Sequence, residues 1–265
     1  MNSLSYFSTG DGVRVAYRFD GDVGKPVLVL SNSIGTTLHM WDAQIPALTR
    51  HFRVLRYDLR GHGSTDVAPG AYSLDRLGRD VLEMLDAVGV ERAHFLGLSL
   101  GGMVGQWLGV YAPERIERLI LSNTSAYLGP TAPWDERIAA VSQATDMQAT
   151  AQMFLGNWFP APMLDAGDAR VEPFRAMLLA TRPQGLAGSY AAVRDMDLRR
   201  IDALILAPTL VIAGEYDTVT AASQSVAIAA TIPDARLLTL PAVHLANVEF
   251  AQEFETAVIE FLLAA

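Results

Sequence analysis

At 265 residues, 51% of them hydrophobic and 18% charged, the chain has a globular composition and can bury a sizeable core. Its net charge of −9 and pI near 5.0 argue against a nucleic-acid partner, because phosphate binding needs clustered cations. Lys25 and the scattered arginines form no basic block. The lack of cysteine excludes disulfides, thiolate metal sites and a cysteine nucleophile.

The opening "MNSLSYFSTGDG" has neither the basic region nor the apolar stretch of an export signal. The best apolar run, "LILAPTLVIAG" at 204–214, is broken by Pro208 and too short to span a bilayer, so a soluble, cytoplasmic protein without membrane contact is expected. In "YFSTGDGVRVAYRFDG", Asp11-Gly12 between alternating runs signals a hairpin. Six further strand-like runs follow: 26–32, 52–58, 92–98, 116–123, 208–214 and 235–241. Several are apolar throughout, as parallel strands covered on both faces must be. Residues 73–89 have helical spacing and end at Gly89, a good C-cap, while 248–264 reads as a closing amphipathic helix. The pattern predicts an α/β fold with a mostly parallel eight-stranded sheet flanked by helices. Between strands 6 and 7 the alternation breaks into a helix-rich, proline-punctuated stretch. It predicts a helical cap at 126–194 over a core formed by 1–125 and 195–265, placed at the strands' carboxyl ends, where ligand sites of open α/β sheets form.

The stretch "GLSLGG" (97–102) follows a strand and precedes an apolar, helix-like run. Gly-x-Ser-x-Gly at such a turn is a nucleophile elbow, with Ser99 as nucleophile; the bland reading is a glycine-rich bend. A serine hydroxyl needs a base. Of five histidines, His94 lies inside a strand, His51 at the opposite end of the sheet, His62 in a turn that it braces, and His39 in a supporting loop. His244 follows the last strand, where a base must come from. A carboxylate has to orient that base. Asp217 leaves the penultimate strand and gives the chain order Ser, Asp, His, with Glu215 a nearby rival; the other usual acid position, after "LILS", holds Asn123. The oxyanion donors expected are the backbone N–H groups of Leu100, after the nucleophile, and Ile34, in the loop after the third strand. No histidine pair has metal-ligand spacing, and "GLSLGG" lacks the dinucleotide fingerprint, so neither metal nor cofactor is expected.

The elbow, "RYDLRGHGSTD" and "PAVHLAN" resemble the α/β-hydrolase superfamily along the whole chain. Longer strings are similar to the 3-oxoadipate enol-lactonases: "SNSIGTTLHMWDAQIPAL", "GAYSLDRLGRDVLEMLD", "GLSLGGMVGQWLGVYAPERIERLILSNTSAYLGP" and "RDMDLR". Thr65, Ala68 and Ile34 depart from the usual serine, proline and leucine. The resemblance implies Ser99, Asp217 and His244 as catalytic residues, and cofactor-free hydrolysis of 3-oxoadipate enol-lactone to 3-oxoadipate. A lactone carrying a carboxylate calls for a cation. In "PWDERI", Trp134 and Arg137 stand one helical turn apart, and arginine suits carboxylate recognition. The rivals are a carboxylesterase or cofactor-free haloperoxidase (perhydrolase) using the same triad and, in another class, a non-catalytic small-ligand receptor on the hydrolase fold.

Overall fold

The computed structural model describes residues 3–264; residues 1, 2 and 265, at the outer ends of the expected core segments, lie outside it. The strands are β1 (Ser5–Ser8), β2 (Arg14–Asp20), β3 (Val27–Ser31), β4 (Arg53–Tyr57), β5 (Ala93–Leu98), β6 (Ile116–Ser122), β7 (Thr209–Gly214) and β8 (Arg236–Leu240). They form one sheet among the described residues, in the order β1-β2-β4-β3-β5-β6-β7-β8. β1 and β2 are the expected hairpin. β2 pairs antiparallel with β4, and β3 to β8 run parallel to their neighbours. All residues of β5 and β7 are buried, because helices cover both faces of the central sheet.

The helices follow from caps and spacing. After the short α1 (Ile45–Leu48), α2 (Leu74–Ala87) starts where Ser73 Oγ accepts the Arg76 N–H. It buries Leu74, Leu77, Val81, Met84 and Leu85 on one face, and stops before Gly89, whose φ of +69° is the left-handed conformation a C-cap glycine supplies. α3 (Leu100–Tyr111) is almost wholly buried against β5 and β6. Between β6 and β7 stand α4 (Ala132–Ser142), α5 (Gln148–Trp158), α6 (Ala161–Asp165), α7 (Glu172–Ala180) and α8 (Pro183–Asp195). This helical segment presses on the loop after β4: a Cβ added at Gly185 would lie 2.1 Å from Gly61 O, so only glycine permits the approach.

The C-terminal half differs from expectation at one point. After α9 (Ala222–Thr231), the closing run is two helices, α10 (Ala246–Glu249) and α11 (Ala251–Leu263), rather than one. Phe250 leaves helical geometry (φ −122°, ψ 52°) because the two halves have different anchors. Glu249 accepts the Val243 N–H, and buried Asn247 bonds the Met40 carbonyl and Gln44, which holds α10 beside the loop after β8. α11 instead buries Phe254, Val258, Phe261 and Leu262 in the core.

Asp202, just before β7, is 1% exposed and neither carboxyl oxygen has a hydrogen-bond partner among the described residues. Burial pushes its carboxyl from 3.8 up to about 7. A raised carboxyl favours folding fully only below its unfolded value, and that contribution is lost as pH rises through 7. Asp202→Asn, a mimic of the protonated acid, is therefore expected to be more stable than wild type at pH 8.5 by about 2 kcal/mol, and equal to it near pH 4. Thermal melts across that range check this; parallel curves at all pH values would exclude a buried charge at Asp202.

Candidate active site

The elbow is built by close approach. Ser99 takes φ 58° and ψ −118°, strained for a residue with a Cβ. It is held there by its N–H on the Ser122 carbonyl (3.0 Å) and by Thr124 Oγ1 on its own carbonyl (2.7 Å). A Cβ at Gly97 would come within 2.1 Å of Gly101 O, and one at Gly101 within 2.2 Å of Ser31 O. The two glycines flanking Ser99 are thus demanded by packing between β5, α3 and the end of β3. Gly101 N–H donates to Asn32 O (3.0 Å), tying the elbow to the loop after β3. That loop carries Ile34, whose N–H has no acceptor among the described residues. Leu100 N–H heads α3, where the first amides of a helix have no intrahelical acceptor.

β7 and β8 end at the same level, with Gly214 opposite Leu240. Their exit loops stay zipped: Glu215 N–H bonds Leu240 O, and Tyr216 N–H bonds Ala242 O. This brings Asp217 to His244, whose Nδ1 donates to Asp217 Oδ2 at 2.8 Å with both side chains buried. Of the two acids leaving β7, Glu215 is exposed and Asp217 meets the imidazole. Asp217 Oδ1 also accepts the N–H groups of Val219 (2.8 Å) and Thr220 (3.0 Å). Its Oδ2 accepts Thr220 Oγ1 (2.8 Å) and Asn123 Nδ2 (3.1 Å). Burial alone would raise this carboxyl, but the adjoining His244 imidazole and the other hydrogen bonds outweigh it and hold it at about 2. His244 Nε2 is buried and has no hydrogen-bond partner among the described residues, so no hydrogen bond joins it to Ser99 Oγ. Such bonds commonly close only around substrate.

Five of the expected site residues, Ile34, Ser99, Leu100, Trp134 and Arg137, line one cavity of about 370 Å³. Asp217 and His244 do not line it, but Thr218 and Val219, next to Asp217, do. Trp134 and Arg137 lie on α4, with the guanidinium 4.6 Å from the indole centroid. Trp134 Nε1 is committed to Leu128 O, and Arg137 has no carboxylate partner among the described residues. The wall is largely apolar, from Met103, Leu128, Phe154, Val193 and Val219, with Tyr190 packed between Trp134 and Phe154. The other histidines fall elsewhere: His39 lies on the surface against Asp42, and His94 packs edge-on to Phe52.

Asn123 was legible only as a missing acid. In the structure it occupies φ +43°, and its Nδ2 bridges Asp217 Oδ2 and Val243 O, joining the loops after β7 and β8. Asparagine's tolerance of the left-handed region is the one signal that could have marked it. The aromatic wall from α5 and α8 was missed as well.

The sequence profile described as alpha/beta hydrolase fold matches residues 26–183. The chain belongs to the α/β hydrolase family. Among relatives, this α/β hydrolase is 35% identical to 3-oxoadipate enol-lactonase 2 of Acinetobacter baylyi, over 94% of this chain and 93% of that protein. It is 32% identical to the putative carbamate hydrolase RutD of Pseudomonas savastanoi pv. phaseolicola, over 90% of this chain and 94% of that one. The crystal structure of a hydrolase from Pseudomonas aeruginosa PA01 is 69% identical, with a TM-score of 0.97 over 98% of both chains.

Proposed function

We propose that this α/β hydrolase opens the lactone ring of 3-oxoadipate enol-lactone, with Ser99 as nucleophile, His244 as general base and acid, and Asp217 as its orienting partner. Residues 126–194 act as a cap over a core of 1–125 and 195–265. Asp217 accepts the Nδ1 proton, so the neutral imidazole presents a bare Nε2 for the serine proton. Ser99 Oγ attacks the lactone carbonyl carbon as His244 takes that proton, and the carbonyl oxygen becomes an oxyanion received by the N–H groups of Ile34 and Leu100. Collapse breaks the ring C–O bond. The leaving enolate oxygen takes the proton from His244 and the enol ketonises, which removes the group that could close the ring again. Water then gives a proton to His244 and its oxygen to the acyl carbon, and Ser99 departs with the proton.

One observation carries the substrate reading: an arginine without a carboxylate partner among the described residues lines a largely apolar cavity that opens on Ser99. A substrate carboxylate is its natural counter-ion. The enol-lactonase relative supports the same reading. Direct assay of enol-lactone disappearance tests it, and a wild-type protein inert on the lactone overturns it. Arg137→Ala is expected to raise KM about 10- to 100-fold with kcat nearly unchanged, the loss of one charged hydrogen-bonded contact. Unchanged constants would remove Arg137 from the site. The RutD relative, with nearly the same coverage, favours a second reading, attack of Ser99 on a small carbamate. Faster turnover of carbamate than of lactone would select it.

A further inference from the structure

We infer that His62 is a positioning residue for the oxyanion loop, its Nε2 gripping the peptide that follows Ile34. The inference rests on the reading of Ser99 and Ile34 given above. His62 is 1% exposed, lies in the loop after β4 and does not line the cavity, so it acts through the backbone rather than on substrate.

Its tautomer is fixed by its neighbours. Nδ1 lies 3.1 Å from the Arg60 carbonyl oxygen, which can only accept, so Nδ1 carries the proton. Nε2 is left as an acceptor and receives the Gly35 N–H at 3.0 Å. Burial, with Arg182 adding to it, holds His62 at about 4, so the lone pair on Nε2 persists at neutral pH. The loop it grips is short and sharply bent. Asn32 O accepts the elbow's Gly101 N–H, and Ser33 O accepts both the N–H (3.3 Å) and the Oγ1–H (2.6 Å) of Thr36. Gly35 itself sits at φ +77° against α7, where a Cβ would come within 2.9 Å of Leu178. These bonds fix the ends of the turn. The bond to His62 fixes its middle, the peptide adjoining the amide that receives the oxyanion. His62 is in turn anchored by its own N–H on Leu59 O and its carbonyl on the Thr65 N–H. A donor must be in place before charge develops, and a misplacement near 1 Å costs on the order of 100-fold in rate.

The test compares two neutral amides. In His62→Gln the side-chain oxygen reaches as far as Nε2 and can accept the Gly35 N–H; in His62→Asn it is too short. The probe is a trifluoromethyl ketone with the substrate's acyl chain: Ser99 Oγ adds to its carbonyl carbon, His244 takes the hydroxyl proton, and the ketone oxygen becomes the oxyanion. We expect His62→Asn to lose about 100-fold in kcat/KM, and a similar factor in affinity for the ketone. Binding of the product carboxylate should be unchanged, and His62→Gln should recover most of the loss. A loss of kcat/KM with ketone affinity intact, or equal behaviour of the two variants, overturns the inference. Wild-type protein gives an independent reading if a variant does not fold: a nitrogen–nitrogen scalar coupling across the Gly35 N–H to His62 Nε2 bond is expected, and its absence overturns the inference. A wild type inert on every ester and lactone tried would instead defeat the parent reading.

Discussion

Ser99→Ala is expected to lower kcat on the enol-lactone by about 10⁴- to 10⁶-fold, with KM little changed and the fold intact. The magnitude follows from what the residue does in the proposed reaction. Without the hydroxyl there is no acyl-enzyme, and the remaining oxyanion donors and substrate binding give only a small residual rate. The fold is expected to survive because Ser99 Oγ makes no hydrogen bond among the described residues. The residue is held by its backbone, through Ser122 O and Thr124 Oγ1. Alanine carries the same Cβ into the same strained φ and ψ, so it neither relieves nor adds strain. Steady-state kinetics beside a thermal melt check both halves. A variant retaining a tenth of wild-type kcat with an unchanged melt would mean that Ser99 is not the nucleophile.

How far the chain could be read in advance depended on whether a feature is dictated locally. Gly97 and Gly101 are forced by contacts within a few ångströms of the elbow, so their spacing around Ser99 carries the geometry directly. β5 and β7 are buried throughout and read as largely apolar runs, the mark of parallel strands; with 235–241 read as a further parallel strand, the loops after β7 and β8, which hold Asp217 and His244, fall at one end of the sheet. Features set by distant partners were not legible. Asn123 gets its role from Asp217, 94 residues away, and from Val243, and nothing around "SNTS" encodes a donor to either. The break at Phe250 is made by the separate attachments of Glu249 and Asn247, not by a glycine or proline. The helices between β6 and β7 differ in how they are buried: α4 buries only Val141, whereas α8 is buried around most of its circumference from Leu186 to Val193. On α5 the buried residues Ala151, Phe154, Leu155 and Trp158 share one face, and nothing in their spacing distinguishes Phe154, which lines the cavity, from the others. The stretch could therefore be recognised as helical, but the residues forming the wall could not be picked out.

Asp217→Asn is expected to cost about 10⁴-fold in kcat, although it removes no atom of the reacting groups. The five hydrogen bonds at this carboxylate decide how the amide would sit. Oδ1 accepts two backbone N–H groups, from Val219 and Thr220, so the amide oxygen takes that position and the amide nitrogen falls where Oδ2 was. The nitrogen then faces His244 Nδ1 and donates to it, which moves the imidazole proton to Nε2. The nitrogen meant to accept the serine proton is then already protonated. The amide also faces Asn123 Nδ2, setting donor against donor in a buried site, so a modest loss of stability accompanies the loss of rate. That stability term has a definite sign with pH. Asp217 is held at about 2, below the usual 3.8, so its contribution is present above 3.8 and is lost as pH falls through 2. Wild type and Asp217→Asn should therefore converge in stability under acid while remaining far apart in activity at neutral pH. Glu215→Gln is the matched control on the same loop: it is exposed and should leave kcat within about twofold of wild type. If the two substitutions gave equal losses, the loop rather than the carboxylate of Asp217 would be what the reaction needs.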